Sequence, residues 1–350
     1  MNSKSVAVIL VNHNGADDTI ECLHSLLNSS YQNFKVILID NNSTHENFTK
    51  LIEWSNGNYL PKFDTPASIA HCLKEDIIFP LRFKILDKYS GKNFSPSDFD
   101  PTEKYFLLRN PANSGFAVAN NIGIRLAQHL NCEYFWLLNN DTVVEKNALQ
   151  NLITFSENGS IEADGIIGSC VMYYNQPEII QSLGGKFNSW TAKSYHVKQG
   201  MKLNSIQSMP PEIDCPYGAS MFVSKNFISE VGEMCEDYFL FYEELDWAIR
   251  AKQKGKSVGV CLNSMVFHKQ GRSTGKKMDK QASPFISCLH SRNLLFFYRK
   301  FFPSLYQIAL LRLFAKAMRS FAKGNTADFK IIMKVIAGFK NCSVYIQNEK

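Results

Sequence analysis

The feature that most restricts the fold is a local order that recurs along the chain: an apolar run, an abrupt stop at Asn or Asp, then a helical pattern. Residues 5–11, Ser-Val-Ala-Val-Ile-Leu-Val, are almost continuously apolar and rich in branched side chains. A strand with one wet face alternates apolar and polar residues, so this run predicts a strand covered on both faces in a parallel sheet. It stops at Asn12-His13-Asn14-Gly15, after which Asp17 or Asp18 can cap a helix with Ile20, Cys22, Leu23, Leu26 and Leu27 on its inner side. Similar runs at 34–39 and 134–138 stop at Asp40-Asn41-Asn42-Ser43 and Asn139-Asn140-Asp141-Thr142. Right-handed crossovers between such strands leave ligands beyond their carboxyl ends. The fold class predicted is α/β, with a mostly parallel central sheet flanked by helices.

Further strands are expected at 105–109 and 165–174, and helices at about 117–130 and 145–157. Residues 56–104 carry five prolines and little period, and read as a surface insertion with at most a short helix. Beyond 175 the pattern shifts to loops and short strands: one at 215–223, a helix at 243–254 closed by Gly255, and strands at 257–262 and 265–268. Residues 285–339 read as mainly helical. The expected division is a domain over 1–284 and a helical extension over 285–350.

The composition, 45% hydrophobic and 20% charged over 350 residues, allows a sizeable core. The nine cysteines include no C-x-x-C pair and no leader-like apolar segment precedes them, which reads as free thiols in a reducing cytosol. The net charge of +6 is concentrated late: residues 285–350 hold 11 Lys and Arg against Asp328 and Glu349. That asymmetry suits an anionic surface, membrane or nucleic acid.

Three places carry candidate chemistry. Asp141 ends a buried strand, where a carboxylate can hold Mg²⁺ or Mn²⁺ against a nucleotide diphosphate; Asp also ends strands for local hydrogen-bonding reasons. Glu243 and Glu244 open a helix behind Phe241 and Tyr242, where a carboxylate can act as general base or simply sit favourably on the helix dipole. His268 ends a short strand and can supply a metal ligand, and Arg272 follows in a basic loop suited to phosphate oxygens. No G-x-G-x-x-G follows the first strand and no Walker A loop occurs, which disfavours dinucleotide and P-loop sites.

Taken in order, these segments resemble the inverting glycosyltransferases of family 2, in the branch often labelled rhamnosyltransferase-like. The resemblance rests on Val8-Ile9-Leu10-Val11-Asn12-His13-Asn14-Gly15, Ile39-Asp40-Asn41-Asn42-Ser43, Asn110-Pro111-Ala112-Asn113-Ser114-Gly115-Phe116-Ala117 with Asn120-Asn121-Gly123, Trp136-Leu137-Leu138-Asn139-Asn140-Asp141-Thr142, and the segment 241–247 followed by His268. It covers about 5–55 and 105–300. It implies a GT-A, Rossmann-like fold, with a nucleotide-diphosphate sugar as donor and a glycan or lipid-linked acceptor in cell-surface polysaccharide synthesis. By the same resemblance Val11, His13, Asp40 and Asn41 line the base and ribose pocket, and Asn113, Gly115 and Asn120 close it. Asn139-Asn140-Asp141 occupies the D-x-D position, with Asn140 beside the donor and Asp141 on the metal, and residues 215–219 approach the donor sugar or acceptor. Glu244 matches the catalytic base. Glu-Glu stands where relatives usually have Glu-Asp, which keeps Glu243 as an alternative, and His13 stands where Tyr is common. His268 is the second metal ligand, and Arg272 and the metal offset charge on the leaving diphosphate.

A helix opening at Pro303-Ser304 has a broad apolar face (Leu305, Ile308, Ala309, Leu311, Leu313, Phe314, Ala317, Phe321) interrupted by Arg312, Lys316, Arg319 and Lys323. No window is long and apolar enough to span a bilayer, so it reads either as a helix lying on an anionic membrane or as one packed on the domain or a second copy. The expected location is cytoplasmic, at the inner face of the cell membrane if the helix docks there, with no nucleic-acid partner and a homo-oligomer open. Two other function classes are kept. A sugar nucleotidyltransferase would place a basic Gly-rich loop after the first strand, where this chain has Asn12-His13-Asn14-Gly15; a non-catalytic glycan- or nucleotide-binding module would not need Asp141, Glu244 and His268 together.

Overall fold

The computed structural model describes residues 3–86, 100, 102–158, 165–206, 212–269 and 283–348. The first strand and helix, β1 (Val6–Asn12) and α1 (Ala16–Leu27), lead through β2 (Phe34–Asp40) and α2 (His45–Ser55) to β3 (Lys84–Leu86) and β4 (Tyr105–Arg109). Then come α3 (Phe116–His129), β5 (Tyr134–Asn139), β6 (Thr142–Val144), α4 (Ala148–Glu157), β7 (Gly165–Tyr173), β8 (Gln176–Ser182) and the hairpin β9 (Gly185–Asn188) and β10 (Lys193–His196). The remainder is β11 (Ser220–Ser224), α5 (Lys225–Val231), α6 (Glu243–Gln253), β12 (Ser257–His268), α7 (Pro284–Phe301), α8 (Tyr306–Ala322) and α9 (Thr326–Ile336).

Ten strands form one mixed sheet in the order β3-β4-β2-β1-β5-β11-β7-β12-β6, with β8 on β7. The first five strands of that order are parallel; β11 runs antiparallel to both β5 and β7. The unbroken apolar run of β1 follows from burial on both faces. Val6, Val8 and Leu10 share one apolar cluster with α1, α2 and α4, while Ala7 and Ile9 share another with α3 and α6 on the opposite face. All five side chains are fully buried. A third cluster joins α7, α8 and α9 to α6 and the β9–β10 hairpin, so the C-terminal helices pack on the body of the protein.

Several elements differ from the sequence reading. Neither Asp17 nor Asp18 caps α1: Gly15 is the N-cap, and the Asn12 side chain accepts from the Gly15 N–H and from the Thr19 hydroxyl. The strand-ending Asn does the capping from outside the helix. Helix α2 was not expected; Thr44 caps it through the Asn47 N–H, and Phe48, Leu51 and Trp54 are its buried face. Within 56–104, residues 84–86 add the parallel edge strand β3, and Ile69 and Cys72 are buried around the short 3₁₀ turn Ala70–Cys72. Residues 257–262 and 265–268 are one strand, β12, with a register shift between Cys261 and Met265 that breaks its apolar period. Residues 215–219 are loop, and only Ser220–Ser224 is strand. Cys288 and Cys342 are disulfide-bonded, which corrects the all-thiol expectation; they are 54 residues apart and only the packing of α7 against the chain's last turn brings them together.

Helix α3 crosses β1 so closely that a Cβ on Gly123 would lie 2.5 Å from Ile9 Cγ2. Real packing does not tolerate that approach, so helix and strand must separate. Gly123→Ala is expected to cost about 1–3 kcal/mol of unfolding free energy in a urea titration, the usual scale of overpacking a core.

Candidate active site

The site forms at the carboxyl edge of β2, β1 and β5. Asn12 is fully buried and ties three loops together: its Nδ2 donates to Asp40 Oδ1 and to the Ser43 hydroxyl, both at 3.0 Å, while its Oδ1 holds the start of α1. Asp40 is fully buried, and its second oxygen accepts from the Ser43 N–H. Asn41 is buried as well: its Nδ2 donates to Asn113 Oδ1 at 2.9 Å, and its Oδ1 accepts from Asn110 and from the Ser114 N–H. The Asn110–Gly115 turn is thereby held against the end of β2. His13 is exposed with Nδ1 3.0 Å from the Asn41 carbonyl, and Val11 is half-buried beside it. Of these residues, His13 and Asn113 are exposed and Val11 half-buried, whereas the side chains of Asp40 and Asn41 are buried in bonds that tie the loops together. Asn120 turns back onto the Phe116 carbonyl and Asn140 donates to Thr19 Oγ1 at 2.8 Å, so both support helix starts.

Asp141 lies in the two-residue turn between β5 and β6 and is 2% exposed. Its Oδ1 lies 3.1 Å from His268 Nε2, yet no donor is aligned on that buried oxygen. His268 Nδ1 is 2.9 Å from Gln181 Oε1; with that amide oxygen as acceptor, the proton sits on Nδ1 and the Nε2 lone pair turns to Asp141. Two electron-rich atoms facing each other at that distance call for a proton or a cation between them. Burial, the largest influence, would raise the Asp141 carboxyl, but the His268 charge and hydrogen bond, a backbone hydrogen bond and the Lys269 charge together hold it below the usual range. Among the described residues no third His, Cys, Asp or Glu joins this pair.

Tyr217 links this pair to the candidate base. Its ring packs edge-on to His268 at 5.8 Å and to His196 at 5.1 Å. Burial first, then the charges of Asp141 and Glu244, push its phenol well above the usual value. Next to it, a Cβ on Gly218 would lie 3.7 Å from Glu244 Oε1. The sequence reading had residues 215–219 only as a segment near the sugar; Tyr217 is the side chain in it that touches the site, and its Pro-Tyr-Gly setting was the available signal.

Glu243 is buried and Glu244 half-buried, and each has a buried Oε2 without a partner. Burial, joined by the charge of Glu244, raises the Glu243 carboxyl well above the usual range; burial raises Glu244 as well. Asp246, one turn on, is structural: Arg250, Lys300 and the Tyr238 hydroxyl all bond it. The segment before α6 is strained. Phe239 (φ 68°, ψ −56°) lies in the rare positive-φ γ-turn region, and Phe241 (φ 72°) and Tyr242 (φ 76°, ψ −13°) also take left-handed values. Such residues cost on the order of 1–3 kcal/mol each. The Phe239 carbonyl accepts from the Phe116 N–H at 2.6 Å, and a Cβ on Gly115 (φ +86°) would lie 2.4 Å from that carbonyl. Only glycine fits there. Arg272 lies outside the described residues. Lys269, the first basic residue after His268, is occupied by Asp18 and Glu21 of α1, with its ammonium over the Tyr174 ring, so it does not point at a diphosphate.

Comparison with known proteins follows the same line. The family model described as Glycosyl transferase family 2 matches residues 7–58 and 92–212, which hold β1, β2 and the Asn139–Asp141 turn. The chain belongs to family 2 of the glycosyltransferases. The low-salt glycan biosynthesis hexosyltransferase Agl10 of Haloferax volcanii is 26% identical over 166 residues, covering 45% of this chain and 50% of that protein. The chain thus spans about half the length of this curated relative. A crystal structure of GalNAc-T7 with UDP, GalNAc and Mn²⁺ superposes with a TM-score of 0.52 at 16% identity, over 76% of this chain and 44% of that one. That likeness shows the GT-A fold.

The unpaired carboxylates of this family 2 chain make its stability pH-dependent. Because the folded state holds the Glu243 proton more tightly than the unfolded chain does, the stability it contributes is present at low pH. It is lost as pH rises from the ordinary Glu value of about 4.3 through the raised one. Glu243→Gln keeps a neutral side chain there. It is expected to raise Tm at pH 8 and to lose that advantage by pH 4 in thermal melts across the range.

Proposed function

We propose that this chain is a metal-dependent inverting glycosyltransferase, with Glu244 as general base and Asp141 and His268 as the protein ligands of a divalent cation. The observation that carries the reading is the arrangement around Tyr217: a buried Asp–His pair on one side and an unpaired, half-buried carboxylate on the other, at the carboxyl edge of the sheet. The donor set fits Mg²⁺ or Mn²⁺. An unsatisfied carboxylate oxygen and an imidazole held by Gln181 supply two ligands, and diphosphate oxygens and water would complete the shell. GalNAc-T7, of like fold, holds UDP and Mn²⁺. When bound, such a cation offsets negative charge on the diphosphate.

The chain's own residues then have defined tasks. His13, Val11 and Asn113 border the nucleotide crevice, and the Asn12, Asp40 and Asn41 network keeps it open. Glu244 accepts the acceptor hydroxyl proton while that oxygen forms a bond to the anomeric carbon and the bond to the diphosphate breaks, inverting that carbon. A carboxyl raised by burial is a better base near neutral pH than an exposed one. Glu244 is favoured over Glu243 because its Oε1 lies against Gly218, beside Tyr217. The donor sugar is a hexose or a 6-deoxyhexose such as rhamnose: the ordered motifs resemble the rhamnosyltransferase-like branch, and the curated relative is named a hexosyltransferase. A panel of dTDP-rhamnose, UDP-hexoses and GDP-mannose, each with and without Mn²⁺, tests this. Glu244→Gln is expected to lower kcat by about 10²–10⁴, and Asp141→Ala to abolish Mn²⁺-dependent turnover with the fold intact by circular dichroism. Full activity in Asp141→Ala, or no turnover of any donor by the wild type, would sink the metal role or the transferase reading respectively.

We place the acceptor, a glycan or lipid-linked sugar, at an anionic membrane surface. Helix α8 has two apolar faces: Ala309, Leu313 and Ala317 are buried inward, while Leu311, Phe314, Met318 and Phe321 are 43–68% exposed. Arg312, Lys316, Arg319 and Lys323 come off another face of the helix region, Arg312 bonded to the Thr191 carbonyl, and the helix has no acidic residue. A second copy would bring like charges together, whereas an anionic bilayer takes both the apolar stripe and the cations. Among the described residues no helix is long and apolar enough to cross a membrane. Phe314→Ser/Phe321→Ser is expected to lose most flotation with phosphatidylglycerol vesicles while folding normally. Unchanged flotation, or a wild-type dimer that the double variant splits, would overturn the membrane assignment.

A further inference from the structure

We propose that Asn293 of α7, with Arg292 beside it, is a positioning residue that holds the strained 238–242 segment and so sets where Glu244 stands. This rests on Glu244 being the base. Asn293 is fully buried, and the two protons of its Nδ2 are shared among three carbonyls of that segment: Tyr238 at 3.0 Å, Leu240 at 2.8 Å and Phe241 at 3.0 Å. One amide reaches three carbonyls within four residues because Phe239 and Phe241 bend the chain with positive φ. Arg292 fixes the orientation of that amide, since its Nε donates to Asn293 Oδ1 at 2.9 Å. Its Nη2 adds bonds to the Asp237 and Tyr238 carbonyls at 2.9 and 2.8 Å. His290, from the same helix, stacks on Phe241 at 4.1 Å.

Left to itself, a segment with three non-glycine residues at positive φ relaxes to negative φ, and Glu243 and Glu244 follow it directly in sequence. The helix they open is also held from outside α7: Arg250 donates to the Val231 and Glu233 carbonyls, and Trp247 Nε1 to the Gly232 carbonyl. Loss of the clamp therefore moves the approach to the base without unfolding α6. On its other sides the segment bonds the start of α3 through the Phe116 N–H, and the Tyr238 hydroxyl bonds Asp246. Among the described contacts, neither Asp141, just past β5, nor His268, at the end of β12, is a partner of this segment.

Asn293→Ala is expected to raise amide hydrogen exchange at 239–244 at least tenfold with the exchange of β1 and β5 unchanged. It should also lower kcat about 100-fold with whichever UDP-, GDP- or dTDP-sugar of the panel turns over, while the Kd for UDP with Mn²⁺ stays within threefold. Adding Phe239→Gly, which takes positive φ without strain, should recover a good part of the lost kcat. Ser291→Ala is the control for a buried change in α7 that leaves the clamp intact. If Asn293→Ala does not fold, Arg292→Ala carries the same comparison. Unchanged exchange at 239–244, kcat within threefold of wild type, or no recovery by Phe239→Gly would each overturn the proposal. If instead Glu244→Gln keeps full activity, the base assignment fails, and the exchange measurement still reports on the clamp.

Discussion

Asp141 and His268 meet because β12 pairs antiparallel with β6, with His268 opposite Thr142. That register brings an imidazole from late in the chain onto the carboxylate that ends β5, in a place with little water to screen either. Everything else at the site is arranged around this contact. Gln181 of β8 sets which nitrogen faces Asp141, and Tyr217 covers the imidazole and carries the contact toward Glu244. A one-residue slip of β12 would turn the imidazole to the other face of the sheet and leave Asp141 buried alone.

The carboxylates around this contact have been given opposite environments. Asp141, beside an imidazole, is held ionised; the buried Glu243 and half-buried Glu244, adjacent and with no cation bonded to them among the described residues, are pushed toward the neutral form. Asp246 has the same helix and nearly the same sequence position, yet two cations and a phenol bond it. Separation of this kind is how one fold assigns charge-holding and proton-handling to chemically similar groups. It also costs stability, since an unpaired buried carboxyl is tolerated only where surrounding packing compensates. The aromatic cluster of α7, α8 and the β9–β10 hairpin behind Tyr242 supplies that packing.

Much of the α/β body was legible from pattern. A run such as 5–11 can only be a strand buried on both sides, and the Asn and Asp clusters that end such runs mark the ligand edge. Helix α2 was missed because its apolar face is four residues wide and has polar neighbours, and β12 was split because a register shift interrupts its period. The roles of Asp40, Asn41, Asn120 and Asn140 were legible only as polar residues near a ligand. The same amide or carboxylate serves equally to touch a nucleotide or to tie loops, and neighbours 4–128 positions away decide which.

By itself the sequence determined the strand order's raw material, the carboxyl-edge position of Asp141 and the membership in family 2, because apolar period and motif order are local and linear. The tertiary structure decided which carboxylates are paired and which are left bare. It also turned half of the apolar face of α8 outward and laid α7 along the loop that leads to Glu244. Those outcomes depend on contacts across tens to hundreds of residues, where burial and the partner's charge, rather than residue type, set what a side chain can do.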